Sequence, residues 1–208
     1  MLHFRQHILF TLSLFLLLGG SAFAQDISQD ISIDRDKSRL WIEGSSNVNQ
    51  FSCRAEHYNT SITQPRTLDE QLGVEVDIAV SGFECGKRRM NRDLNEALKS
   101  EDFPTISFDY KETRSMSYDD SIDQYVLTVV GYLTVAGHRK EIEFPMKATA
   151  LEDGTLQATG ETELRMTDYN VEPPTALLGL VRVEDRLTVH FELYANTQTS
   201  DPFDDAQY

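Results

Sequence analysis

The residues of this chain best equipped for chemistry are two cysteines and a few scattered histidines, and their spacing restricts what they can do. Cys53 and Cys85 stand 32 positions apart. Two thiols cannot complete a four-ligand zinc site, and the pair lacks the C-x-x-C spacing of a redox dithiol. In an oxidising compartment they are expected to form a disulfide, which for a loop of this size contributes ~3.5 to 4 kcal/mol in the chain-entropy model. The alternative is two free thiols, one packed and one exposed. His57, His138 and His190 fall on three separate strands or turns, with no carboxylate at a telling interval. The chain has no G-x-S-x-G elbow, no H-E-x-x-H and no glycine-rich phosphate loop, so the reading is non-catalytic, with no metal or cofactor expected.

Charge and the N-terminus narrow the setting. With 34 acidic against 19 basic side chains the formal net charge is -15, which opposes binding to nucleic acid phosphates and to anionic lipid head groups. Residues 1–24 have the three parts of a secretory signal: Arg5 near the start, an apolar run from Ile8 to Leu18, and Ala22-Phe23-Ala24 as a cleavage site. An apolar run of 11 residues is far short of the roughly 20 that span a bilayer. The mature chain is therefore expected to begin at Gln25, to be exported to the periplasm or the extracellular space, and not to span a membrane.

Period-two alternation supplies the elements. Val74, Val76, Ile78 and Val80 alternate with Glu75, Asp77, Ala79 and Ser81, the pattern of a strand with one wet face. The same alternation places Ile106, Phe108 and Tyr110 on one face, then Ile142, Phe144 and Met146, then Leu164 and Met166, then Phe191 and Leu193. Eight strands are expected, at 39–47, 51–62, 72–83, 105–117, 124–136, 140–151, 155–169 and 184–196, and a short N-terminal strand around Ile31 and Ile33 fits as well. Gly137-His138 and Asp153-Gly154 carry hairpin turn chemistry. Met90 to Ser100 reads as a short helix, with Asn91 as its N-cap and Pro104 blocking continuation. Val171 to Leu180 lacks strand period and is an apolar loop that either packs into the core or lies over an opening. The fold class is all-β: one antiparallel barrel over residues 25–197, one short helix, and an acidic disordered tail over 198–208. Closure into a barrel removes exposed strand edges.

If the alternating apolar side chains face inward, the interior carries Val76, Ile78, Val80, Ile106, Phe108, Tyr110, Leu133, Phe144, Met146, Leu164, Met166, Phe191 and Leu193. Gly82, Gly131, Ala148, Ala158, Gly160 and Ala195 share that face. Two readings stand. Small residues between bulky walls leave room for an apolar guest, or they relieve crowding in a filled core.

Three stretches resemble the YceI-like family of secreted, lipocalin-like proteins. Asn91-Arg92-Asp93-Leu94, followed by Leu98 to Phe108 with Phe103-Pro104-Thr105 at its centre, is similar to that family's helix-to-strand signature. Val130 to Lys140 resembles its G-x-L-T-x-x-G-x-x-K hairpin, and Gly160 to Tyr169 its penultimate strand. The resemblance implies an eight-stranded barrel enclosing an apolar lipid partner, typically a polyisoprenoid. The Cys53/Cys85 pair and Pro173-Pro174 depart from the family pattern. A polar head on such a lipid would need a donor near the mouth, for which Arg165, Arg182, Arg186 and Tyr169 are candidates; His138-Arg139-Lys140 makes a small basic spot at a hairpin tip, which ordinary turn polarity explains equally well. For the cysteines, a thiol titration of denatured, unreduced protein should find no free thiol, whereas two titratable thiols would contradict the pairing.

Overall fold

The structure is a computed structural model that describes residues 29–63, 72–176 and 178–199. The expected signal segment and residues 200–208 of the expected tail lie outside them. The strands are β1 (Gln29–Ile33), β2 (Arg39–Ser46), β3 (Gln50–Ala55), β4 (Tyr58–Thr63), β5 (Gly73–Ala79), β6 (Phe83–Glu84), β7 (Thr105–Asp119), β8 (Gln124–Val135), β9 (His138–Ala150), β10 (Leu156–Arg165), β11 (Thr175–Ala176) and β12 (Val181–Thr199). Helix α1 (Arg88–Ala97) joins β6 to β7. Every strand pair is antiparallel, in the order β4-β5-β7-β8-β9-β10-β12-β2-β3-β6.

That path returns on itself. Only Glu56 and His57 separate β3 from β4, and only the single 3-10 turn Val80–Gly82 separates β5 from β6. The two kinked ribbons are joined at their bends, where Glu56 N–H donates to the Gly82 carbonyl at 2.8 Å and Ala79 N–H to the His57 carbonyl at 3.0 Å. Since β3 bonds β2 while β5 bonds β7, the sheet curls into a ring. β1 extends the edge of β2 along β12, and β11 pairs with the start of β12. Twelve segments thus fill the eight expected barrel positions, with β7 and β12 facing each other across the bore.

Several boundaries move from their expected places, each for a local reason. The helix begins at Arg88 rather than near Met90, with Lys87 at its N-cap. Asn91 serves elsewhere: its Oδ1 accepts the Cys85 N–H at 2.8 Å and its Nδ2 donates to Glu84 at 2.9 Å, tying α1 to β6. The β8–β9 turn is Ala136-Gly137, since Val135 already pairs with His138. The expected strand 155–169 stops at Arg165. Asp185 then accepts the Thr167 N–H at 2.9 Å and the Thr167 hydroxyl at 2.7 Å, which closes Met166–Tyr169 into a 3-10 turn. Gln198 and Thr199, expected in the tail, instead pair with Asp30 and Gln29. The 171–180 segment divides: Val171 is buried in the core, whereas Leu178 and Leu180 are exposed, at 106% and 75%.

The two ends of the bore differ. One is closed by α1, the 166–169 turn and the Ala136-Gly137 turn, whose apolar groups pack with Val80, Leu98, Leu133, Tyr169 and Val171. The other, where β7 turns into β8 and β9 into β10, presents Met116, Tyr118, Ile122, Tyr125 and Leu156 to solvent. Between them Phe108, Phe144 and Phe191 make edge-to-face contacts at centroid distances of 5.7 and 5.6 Å. Their strands β7, β9 and β12 set this chain of rings across the bore. Gly131 and Gly160 make it fit: a Cβ at either would collide with the Phe108 or the Phe191 ring and with neighbouring backbone oxygen.

Two predictions follow from this packing. Gly131→Ala should lower the unfolding free energy by about 1 to 3 kcal/mol in urea titrations, the usual penalty of overpacking. Burial first, and the neighbouring Asp168 second, push Tyr169 up to about 12 from the ordinary 10.0. A proton bound more tightly in the folded state gives stability that is complete below pH 10 and is lost on rising through about 12. Tyr169→Phe should therefore flatten the alkaline decline of the urea midpoint over that window relative to wild type.

Candidate apolar ligand site

The inner face is set by strand register. Phe108 pairs with Val76 and Leu133, Ile106 with Ile78, Tyr110 with Gly131, and Met146 with Leu127 and Gly160. Leu164 pairs with Leu187, Phe191 with Gly160 and Leu40, and Leu193 with Ala158. Of the sequence-selected interior residues, Ile78, Val80, Leu133 and Phe144 are buried, and Val76, Ile106, Phe108, Tyr110, Met146, Leu164, Met166, Phe191 and Leu193 are half-buried. Val80 and Met166 sit in 3-10 turns rather than strands. The gaps expected at Gly131 and Gly160 hold the protein's own phenylalanine rings.

At the open end the inner face continues into side chains that sequence alternation did not reveal. β7 carries register shifts between Tyr110 and Glu112 and between Thr113 and Ser115. Each inserts a residue, and the two together restore the alternation, so Met116 pairs with Leu127 and Tyr118 with Tyr125 on the same inner face as Phe108 and Tyr110. The Tyr118 and Tyr125 rings meet edge to face at 5.1 Å. The rim around them is acidic. Asp119 is held below the usual carboxylate value by hydrogen bonds from the Ser121 side chain and backbone, and Asp153 by those from the Thr155 backbone and side chain.

A second apolar space lies at the closed end, beneath α1. It is a cavity of about 140 Å³ walled by Ile42, Phe51, Met90, Leu94, Met166, Val183, Leu187 and the two cysteines, among others. Cys53 and Cys85 are bonded to each other there, at 2.01 Å between sulfurs. Only Met166 of the sequence-selected interior residues reaches this cavity. Its floor was legible in part, because Phe51 and Leu187 alternate in phase with Ile42; the helix side chains Met90 and Leu94 required the observed helix phase.

The three histidines do not converge on one another, and none of them faces the bore. His190 lies on the outer face, stacked on Trp41 at 5.0 Å and 3.4 Å from both Glu43 and Glu161. His138 Nδ1 lies 2.9 Å from the Ala136 carbonyl, and the His57 side chain is exposed. A larger cleft of about 460 Å³ is also external and polar, walled by Glu43, Gln50, Glu184 and Arg186 among others. Of the head-group candidates, Arg186 pairs with Glu163 at 3.1 Å, Arg182 donates to the Gly179 carbonyl at 3.1 Å, Arg165 is exposed and Tyr169 is core. Among the described residues no three His, Cys, Asp or Glu side chains are grouped to hold a metal ion, and no helix is long and apolar enough to cross a membrane.

Comparison with known proteins agrees with this architecture. No curated protein matches the chain. BcnA of Burkholderia cenocepacia is 17% identical, with a TM-score of 0.60 over 78% of this chain and 99% of that one. A polyisoprenoid binding domain from Saccharophagus degradans, implicated in plant cell wall breakdown, is 13% identical, with a TM-score of 0.65 over 82% of this chain and 100% of that one. A YCEI protein of Campylobacter jejuni is 17% identical, with a TM-score of 0.52 over 70% and 84%. The model of the YceI-like domain matches residues 32–195, from the end of β1 to near the end of β12. With that span covering most of the chain, the chain belongs to the YceI-like domain family.

Proposed function

We propose that this protein holds a long apolar lipid of isoprenoid type inside its barrel and sequesters or carries it through an aqueous, oxidising compartment. The observation that carries this reading is the continuity of the apolar bore with an apolar mouth. Met116, Tyr118, Tyr125 and Leu156 share the inner face with Met146, Phe191 and Leu193, yet stand in solvent. Side chains of this kind, flexible or aromatic, suit a loosely shaped hydrocarbon. Family membership and the likeness to a polyisoprenoid binding domain support the same ligand class.

Energetics require no special contact. Burying about ten CH₂-sized units contributes ~8 kcal/mol before ordering costs, the scale of micromolar binding. The phenylalanine chain crosses the bore, so loading a long lipid turns at least one of those rings aside. The acidic rim opposes an anionic head group there. Export rests on the signal-type segment Met1 to Ala24 and accords with the Cys53–Cys85 bond.

A second reading, a filled barrel acting as an interaction module, draws on Phe108 and Phe191 filling the glycine gaps and on the exposure of Leu178 and Leu180. Organic extraction of the purified protein followed by mass spectrometry separates the two. The lipid reading predicts an isoprenoid-type molecule near one per chain, falling at least tenfold in a folded Ala158→Phe variant that narrows the bore. Extraction of no lipid, with no thermal stabilisation on adding a long prenyl alcohol, would favour the filled barrel.

A further inference from the structure

The cavity beneath α1 has the properties of a subsite in its own right. At about 140 Å³ it is close in size to an engineered apolar cavity of about 150 Å³ that stays dry and binds benzene. Three of its four polar side chains are already engaged. Ser46 Oγ donates to Asn49 Oδ1 at 2.9 Å while accepting the Asn49 N–H at 3.1 Å, and Asp93 is engaged by Arg89 and Arg92 at 3.6 and 3.8 Å. The buried side-chain atoms without a partner among the described residues, Tyr58 Oη and His190 Nε2, are not in its lining. Water entering it would therefore find few of the two to four partners that hold a buried molecule.

Its walls come from both sides of a covalent tie. Cys53 lies on β3, Cys85 just ahead of α1, and both line the cavity. The helix has no fully buried residue between Arg88 and Ala97, and it covers the cavity through half-buried Met90 and Leu94. Besides the packing of Met90, Leu94 and the buried C-cap Leu98, the disulfide and the Asn91 bonds to Cys85 and Glu84 hold the start of the helix over the cavity.

We infer that this disulfide-walled cavity is a binding subsite for one compact, uncharged apolar group of about benzene size. Its natural occupant is the branched hydrocarbon end of the lipid, an identification that rests on the function proposed above; the subsite itself does not. A group of this size fills the space without a polar contact, and Met90 and Met166 can adjust around it.

Methionine methyl groups report on the whole interior: Met90 and Met166 line the subsite, Met146 lies in the bore and Met116 at the mouth. Benzene added to delipidated, disulfide-intact protein labelled at the methionine methyls should shift Met90 and Met166 and leave Met116 and Met146 in place. Leu94→Trp, which fills the cavity, should abolish those shifts. The folded Cys53→Ala/Cys85→Ala variant, confirmed by circular dichroism, should bind benzene at least tenfold more weakly. Shifts confined to Met116 or Met146, no shift at all, or binding unchanged in the double variant would overturn the subsite. Lipid on extraction with no response at Met90 and Met166 would remove the subsite and keep the lipid reading; the converse would keep the subsite and remove the lipid.

Discussion

Three phenylalanine rings in edge-to-face contact across the bore hold this structure in its observed form. Phe108, Phe144 and Phe191 come from strands far apart in sequence, and facing walls of the barrel meet through them. The contact depends on what is missing on their neighbours. Without the side-chain gaps at Gly131 and Gly160 the outer two rings could not lie against the wall. Protein interiors are packed to near crystal density, so filling either gap would be felt throughout the centre of the barrel. The same rings stand between a capped end and an apolar mouth.

The outside is built on the opposite principle. Over β8, side chains from β7 reach across to β9: Lys111 to Glu141 at 2.7 Å, and Arg114 to Glu143. Arg139 pairs with Asp109 at 3.1 Å and lies over the Tyr132 ring, 4.5 Å from its centroid. Beneath this layer Val130 is fully buried although its strand parity points it outward. Solvent-screened surface pairs of this kind contribute little individually. Their hydrogen bond draws the Lys111 pKa up and the Glu141 pKa down, so both members keep their charge across the neutral range. Carboxylates of this kind thus sit on a solvated coat, separated by the sheet from the apolar side chains of the bore.

Much of this was legible from residue order. All eight barrel positions were located, most by the period-two trace that one wet and one dry face leave, and the less regular strands 39–47, 51–62 and 124–136 by their composition, the last being apolar on both faces. The Cys53–Cys85 pairing followed from compartment and count. What escaped was set by contacts between elements. The two shifts in β7 cancel, so Met116 and Tyr118 keep the inward parity of Phe108 and Tyr110, but Glu112 and Arg114 at the in-phase positions between them make the stretch read as polar. Asn91 has the chemistry of a helix cap, but β6 recruits it. Leu178 and Leu180 have core composition, yet the β11–β12 turn leaves them in solvent. The cavity under α1 was legible only in its floor for the same reason: its walls belong to six elements that meet only in the fold.

The central claim is that a long apolar chain occupies the bore by displacing the phenylalanine contact. Cross-relaxation between the methyl protons of bound lipid and the protein tests it most directly. The account predicts contacts from one lipid molecule to the Phe144 ring and to the Met116 methyl, reaching from the middle of the barrel to its mouth. Contacts confined to outer-face residues such as Tyr132 or Trp41, with none to Phe144, would contradict it.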